Sequence, residues 1–182
     1  MLDLLSNSCI QRGGVTMYCP ICGRPSYRQE TETKYSCSRC GYVFFQNVAA
    51  AVAVFIRHDD EILFTVRGRE PARGMLDLPG GFVDPGEGLE EAAARELMEE
   101  LGLAAGELRY LFSLPNEYPY RNVLYYTTDA FFEVKIRERP DFVLSDEIES
   151  WCWASPVLVS SDEIGFRSVR YGVERYCRAF PA

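Results

Sequence analysis

The stretch Gly80-Gly81-Phe82-Val83-Asp84-Pro85-Gly86-Glu87-Gly88-Leu89-Glu90-Glu91-Ala92-Ala93-Ala94-Arg95-Glu96-Leu97-Met98-Glu99-Glu100-Leu101-Gly102-Leu103 decides how the rest of the chain is read. Its glycines and Pro85 make a loop, since both residue types favour turns and interrupt helices. From residue 88 to 101 the spacing becomes helical, and Leu89, Ala93, Leu97 and Leu101 recur every fourth residue as one apolar stripe. Gly102 stands where a helix end favours a residue of positive φ. Glu96, Glu99 and Glu100 lie at i, i+3 and i+4 and so share a second face. Like charges at these spacings cost an isolated helix ~0.2–0.5 kcal/mol per pair. Two readings fit such a cluster. One is a solvated acidic face; the other is a set of hard oxygen ligands for Mg²⁺ or Mn²⁺, with phosphate oxygens and waters completing the shell.

The same stretch accounts for the charge of the whole chain. The 182 residues hold 19 Lys and Arg against 27 Asp and Glu, a formal net charge of −8. From Gly81 to Leu103 there are seven acids and one arginine, six of those eight net negative charges. Broad nucleic-acid binding rests on a basic footprint, so a nucleic-acid partner is not expected. An acidic protein that handles phosphates needs a cation, and the acidity is concentrated where a cation would sit.

Composition is that of an ordinary globular chain, 47% hydrophobic and 25% charged. The longest apolar run, Val48 to Ile56, falls far short of the ~20 residues that span a bilayer. It suits a strand buried on both faces. Further runs at 61–66, 108–114 and 123–136 are rich in Val, Phe, Tyr and Ile and read as strands. Asp59-Asp60 suggests the turn between the first two, with His58, the one histidine, exposed in that hairpin. Residues 168–180 form a closing helix, with Val169, Val173, Tyr176 and Phe180 at helical intervals.

Ahead of the strands, Cys19-Pro20-Ile21-Cys22-Gly23 and Cys37-Ser38-Arg39-Cys40-Gly41 make two C-x2-C-Gly knuckles with fourteen residues between them. Four soft thiolates at this spacing close a tetrahedral shell around Zn²⁺, with no open position for catalysis. The alternative is two disulfides. Seven cysteines cannot all pair within one chain, and no basic segment followed by an apolar one opens the sequence. A reduced, cytoplasmic protein with a structural zinc ribbon and no membrane segment is the expectation. Cys9, Cys152 and Cys177 read as ordinary thiols. The organisation expected is an N-terminal extension over 1–16 ahead of a native start at Met17, a zinc ribbon over 17–46 and a larger α/β domain over 47–182.

Gly81, Glu87, Arg95-Glu96-Leu97, Glu99-Glu100 and Gly102-Leu103 match every fixed position of the Nudix box. The chain resembles a Nudix hydrolase, and Leu78-Pro79-Gly80-Gly81 is similar to that family as well. The resemblance implies an α/β/α sandwich around a mixed sheet. It also implies divalent-metal-dependent hydrolysis of the pyrophosphate bond of a nucleoside diphosphate linked to another moiety. By resemblance Glu96, Glu99 and Glu100 hold Mg²⁺ or Mn²⁺ with help from the Gly81 carbonyl, while Glu87 and Arg95 support the site. The chemistry suits those residues, because metal ions neutralise a diphosphate and make a water acidic enough to attack phosphorus. For the general base, family members differ between a box glutamate and a carboxylate from a distal loop. Glu147, six residues before Trp153, resembles that distal glutamate, and a solvated turn carboxylate is its alternative.

A zinc ribbon ahead of a Nudix domain resembles the NADH pyrophosphatases and a related group acting on FAD or ADP-ribose. The Ser-Gln-Pro-Trp element of the NADH-cleaving members is here Ser113-Leu114-Pro115-Asn116, which keeps only serine and proline. Tyr118 and Tyr120, with Tyr125 and Tyr126, are candidates to stack on a base, a contact worth ~1–3 kcal/mol. Packing on a strand face is the alternative for each. Arg67 and Arg69, with Arg73, are candidates to reach phosphates, against a solvent-exposed role. Hydrolases of nucleoside triphosphates, dinucleoside polyphosphates or RNA caps form a second reading. A third is a non-catalytic module that senses a nucleotide while the ribbon docks on RNA or protein. In the ribbon, Arg24, Arg28, Lys34 and Arg39 outnumber Glu30 and Glu32 by only two charges. A small-molecule nucleotide is the expected partner, with a homodimer as a family-level expectation.

Overall fold

The computed structural model describes residues 16–179. They fall into two compact units that divide between Asn47 and Val48. Cys9 and nearly all of the expected N-terminal extension lie outside the described residues, as does Phe180.

The first unit is an antiparallel meander of three short strands, β1 (Tyr27–Gln29), β2 (Lys34–Cys37) and β3 (Val43–Phe45). Among its described residues only Cys19 and Cys37 are buried. Both knuckle glycines take positive φ, 66° at Gly23 and 75° at Gly41, and their N–H groups donate to the carbonyls of Cys19 and Cys37. Each knuckle is thereby wrapped tightly around its sulfurs.

The second unit is a mixed six-stranded sheet between two helices. Its strands are β4 (Ala49–His58), β5 (Glu61–Arg67), β6 (Leu76–Asp77), β7 (Arg109–Tyr120), β8 (Val123–Lys135) and β9 (Ile148–Ala154). The order is β6-β5-β4-β8-β7, with β9 on the other edge of β5. Only β4 and β8 run parallel. Residue alternation sorts the core into two layers. Val52, Val54 and Ile56 of β4, with Ala130, Phe132 and Val134 of β8, pack under α1 (Leu89–Leu101) through Ala92, Ala93, Leu97 and Leu101. Ala53, Phe55 and Phe131 face the other way, against Val169, Val173 and Tyr176 of α2 (Arg167–Ala179). The result is the expected α/β/α sandwich.

One irregularity positions the site. β4 pairs with β5 only near the Asp59-Asp60 turn and then diverges from it. The segment after β6 lies against the freed part of β4: Val52 and Val54 donate to the carbonyls of Gly81 and Pro79, and Val83 donates to that of Ala50. The loop before α1 is thus stitched to a central strand. The turn residue Asp59 has φ 53°. His58 is half-buried against Trp153, with ring centroids 6.0 Å apart, where the sequence suggested exposure. A short run with turn residues on one side conceals such a contact, because Trp153 is distant in sequence.

Candidate active site

Gly80 and Gly81 are required by their surroundings. Gly80 has φ 150°, and a Cβ there would meet the Val52 carbonyl oxygen at 2.1 Å. A Cβ on Gly81 would meet Glu96 Oε1 at 2.4 Å. The backbone therefore runs directly against the carboxylates of α1. That helix is closed at its start by the Glu91 carboxylate, which accepts from the Gly88 N–H at 2.7 Å. At its end, Gly102 (φ 65°) donates to Met98 O and Leu103 to Leu97 O.

Arg95 organises the glutamates. Its guanidinium donates to Glu87 at 2.8 Å, Glu96 at 2.8 Å, Glu99 at 3.0 Å and the Phe82 carbonyl at 2.9 Å. Glu87 also accepts from the Asp84 N–H at 3.0 Å. The Arg95 hydrogen bonds hold the Glu87 carboxyl below the usual carboxylate range. Burial acts the other way on Glu96, raising its pKa against the pull of Arg95. Glu100 is pushed well above the ordinary range by burial, although it accepts from the Gly80 N–H at 3.0 Å, and nearby Glu96 adds to the rise. Among the described residues no cation pairs with Glu100.

All three helix glutamates line a cleft of about 410 Å³. Gly81, Arg95, Arg67, Tyr118 and Glu147 line it too. Arg67 donates to Asp77 at 2.9 Å and lies over the Phe166 ring at 4.7 Å. Burial pushes Asp77 up to about 6 against that pairing. Glu147, at the head of β9, is exposed and pairs with Arg69 at 2.9 Å. Glu87 is at the foot of the loop, outside the lining, and Arg69 and Tyr120 are outside it as well. Arg69 is spent on Asp146 and Glu147, and Tyr120 stacks on Tyr118 with centroids 6.3 Å apart. Of the arginine and tyrosine candidates, the structure brings only Arg67 and Tyr118 into the cleft.

Several lining residues carry no chemical motif in the sequence. Phe82 meets Tyr118 edge-on at 5.5 Å, and Phe166 packs against Tyr118 with centroids 5.3 Å apart. Asn116, Thr127, Asp129 and Ser168 make a polar floor. Strand alternation could have placed Asn116, since Phe112, Leu114, Asn116 and Tyr118 share one face of β7. Phe166 precedes α2 outside any periodic pattern and had no local signal.

In the first unit, the sulfurs of Cys19, Cys22, Cys37 and Cys40 all lie within 4.8 Å of one another. The Cys19–Cys40 and Cys22–Cys37 separations are 3.7 and 3.8 Å. A tetrahedron of thiolates at the Zn–S distance of ~2.3 Å has an edge of about 3.8 Å. A disulfide needs about 2.05 Å. The four thiols are free, and the set fits one tetrahedral metal ion. Cys152 and Cys177 are half-buried thiols elsewhere. Among the described residues no helix is long and apolar enough to cross a membrane.

Comparison with known proteins identifies the fold of the larger unit. Escherichia coli NAD-capped RNA hydrolase NudC is 40% identical over 102 residues, which is 56% of this chain and 39% of that protein. The alignment thus spans about two-fifths of the length of the curated relatives. A crystal structure of a NUDIX hydrolase from Nitrosomonas europaea superposes with a TM-score of 0.64 at 23% identity, over 88% of this chain and 90% of that one. A MutT NUDIX hydrolase from Burkholderia pseudomallei gives 0.61 at 26% identity, over 70% of this chain and 97% of that one. The NUDIX domain family matches residues 47–170, which span the six-stranded sheet, the glutamate helix and the first turn of α2, and the chain belongs to that family.

Proposed function

We propose that the cleft hydrolyses the diphosphate bond of a nucleoside diphosphate joined to a second moiety, with Mg²⁺ or Mn²⁺ held by Glu96, Glu99 and Glu100. One observation carries the reading: hard carboxylate ligands and an aromatic wall line a single cleft of about 410 Å³, a size usual for small-molecule sites. The residues suit a divalent ion. Burial disfavours the charged forms of Glu96 and Glu100, and Glu100 has no cationic partner among the described residues, so a bound cation would offset the cost of ionising them. The Gly81 carbonyl accepts from Val52 N–H at 2.9 Å and keeps a second lone pair for a ligand. A bound ion supplies charge for the diphosphate and acidity for the attacking water.

The chain's own groups do the rest. Arg95 orients Glu96 and Glu99 from behind, and Glu87 holds Arg95. Arg67, anchored on Asp77, presents a guanidinium to the phosphates. Glu99 is the exposed box carboxylate, its side chain 60% accessible and held by a single contact to Arg95. Glu147 reaches the same cleft from β9 and is the second candidate base; its release from Arg69 is then part of turnover. The ribbon cysteines hold Zn²⁺ in a closed, structural shell.

The relative's name associates it with NAD-capped RNA, and a dinucleotide diphosphate is the feature carried over here. The test is a hydrolysis screen with Mg²⁺ or Mn²⁺ over ADP-ribose, NADH, NAD, FAD, dinucleoside polyphosphates and NAD-capped RNA, with products identified by mass. Cleavage at the diphosphate, releasing a mononucleotide, is expected. Failure to cleave any of them would remove the reading in favour of a nucleotide-sensing module.

A further inference from the structure

Two buried side-chain polar atoms among the described residues lack a hydrogen-bond partner, Asn116 Oδ1 and Trp153 Nε1. Only Asn116 lines the cleft. It lies on β7 opposite Thr127 of β8 and is 8% exposed. An orphaned buried amide oxygen costs the fold free energy with nothing gained in return, unless a ligand completes it.

The neighbours of Asn116 are already satisfied. Asp129, 7% exposed, accepts from the hydroxyls of Thr127 and Ser168. Asp77 accepts from Arg67 at 2.9 Å and from the Leu78 N–H at 2.9 Å. The Asn116 amide oxygen is the unspent acceptor on this floor. Tyr118, two residues along the same face of β7, carries the ring wall with Phe82 and Phe166. A flat ring stacked there brings its edge towards Asn116. Asp77 and Asp129 line the same cleft, and carboxylates there favour an N–H₂ group over a carbonyl. A carboxamide presents one acceptor and one donor side by side. It matches a ring edge that has an amino group next to a lone pair, as asparagine does with adenine.

We propose that Asn116 is a specificity-determining residue that reads the N–H₂ of a flat ring, either the amino group of an aminopurine or the carboxamide of a pyridine nucleotide. This deepens the proposed function and rests on the same cleft.

Mononucleotides test it, because they have no diphosphate to cleave and report binding alone. Dissociation constants are measured by calorimetry, with Mg²⁺ present, for two pairs. The first is AMP against purine riboside monophosphate, which lacks the amino group. The second is nicotinamide mononucleotide against its 3-acetylpyridine analogue, in which methyl replaces N–H₂. The wild-type protein should prefer the N–H₂ member of one pair by at least about tenfold, and that pair identifies the ring. Asn116→Leu should bring the ratio to within about twofold while leaving the thermal midpoint unchanged or higher, because an orphan polar atom is removed. Asn116→Ser provides the same comparison if the leucine variant fails to fold. No preference in the wild-type protein for either pair, or a preference that survives in the variants, overturns the proposal. A protein that cleaves no diphosphate yet shows this preference would overturn the hydrolase reading alone.

Discussion

Arg95 is surrounded by carboxylates, and its neighbours differ in what they lose by moving. Glu87 is bound twice, by Nε at 2.8 Å and by Nη2 at 3.0 Å, in the bidentate geometry that gives a guanidinium its strongest pairs. Glu99 makes one contact at 3.0 Å from a side chain 60% exposed. An exposed i,i+4 pair of this kind contributes ~0.3–0.5 kcal/mol. Glu99 is therefore cheap to rearrange, as a ligand or proton acceptor must be. Glu99→Gln keeps the shape and removes the charge. Turnover should fall by at least ~100-fold, the lower end for loss of an acid–base group. The thermal midpoint should scarcely change. Steady-state kinetics beside a melting curve separates the two effects, and near-normal turnover in a folded variant would sink the assignment of this glutamate.

At the scale of elements, the three-strand ribbon and the sandwich are held by different physics. In the ribbon only the sulfur-bearing residues Cys19 and Cys37 are buried, so no apolar core supports it. Domains this small usually need a metal or disulfides. A metal ion held by the four cysteines would then supply the folding free energy of that unit. A strong chelator should extract one zinc per chain and abolish the ribbon's strand signal, as should Cys40→Ser. Amide exchange of residues 27–45 is the readout. Both tryptophans, Trp151 and Trp153, lie on β9, so their fluorescence is the control against global unfolding. Ribbon protection that persists after complete zinc removal would refute the argument.

The elements also differ in how openly the sequence announces them. The stripe and stop signal of α1 are local, and the observed helix Leu89–Leu101 follows them closely. β7 is different: its apolar run stops at Leu114, whereas the strand continues to Tyr120. Pro115 and Asn116 are poor strand formers, and their pairing with Thr128 and Thr127 of β8 overrides propensity. Ser145-Asp146-Glu147 reads as a turn, and β9 just beyond it owes its extended form to pairing with distant β5. The carboxylate row was legible because helix geometry relates residues three and four apart. The aromatic wall was not, because Phe82, Tyr118 and Phe166 meet only through the tertiary fold.

Over the whole molecule, the acids of the cleft set how stability responds to pH. Asp77 is raised to about 6, and burial raises Glu96 and Glu100 as well. Unfolded carboxylates titrate near 4. Between about pH 4 and about pH 6 the folded protein therefore binds more protons than the unfolded chain, and stability falls as pH rises through that window. Glu87 works in the opposite sense: with its folded value lowered by Arg95, its contribution is present above about pH 4 and is lost on further acidification. The two sets act in different ranges, so the cleft acids dominate between about pH 5 and about pH 6. The thermal midpoint of the sandwich without Mg²⁺, followed by tryptophan fluorescence, should fall across that interval. Mg²⁺ should restore more of it at the upper end of that interval than at the lower, because protons compete with the ion for carboxylates raised by burial and a ligand stabilises only the state that binds it. Glu100→Gln should flatten the pH dependence and remove most of the Mg²⁺ effect together. A midpoint that climbs steadily from about pH 5 to about pH 6 and ignores Mg²⁺ would show that the buried carboxylates are neither strained by their burial nor relieved by a divalent ion.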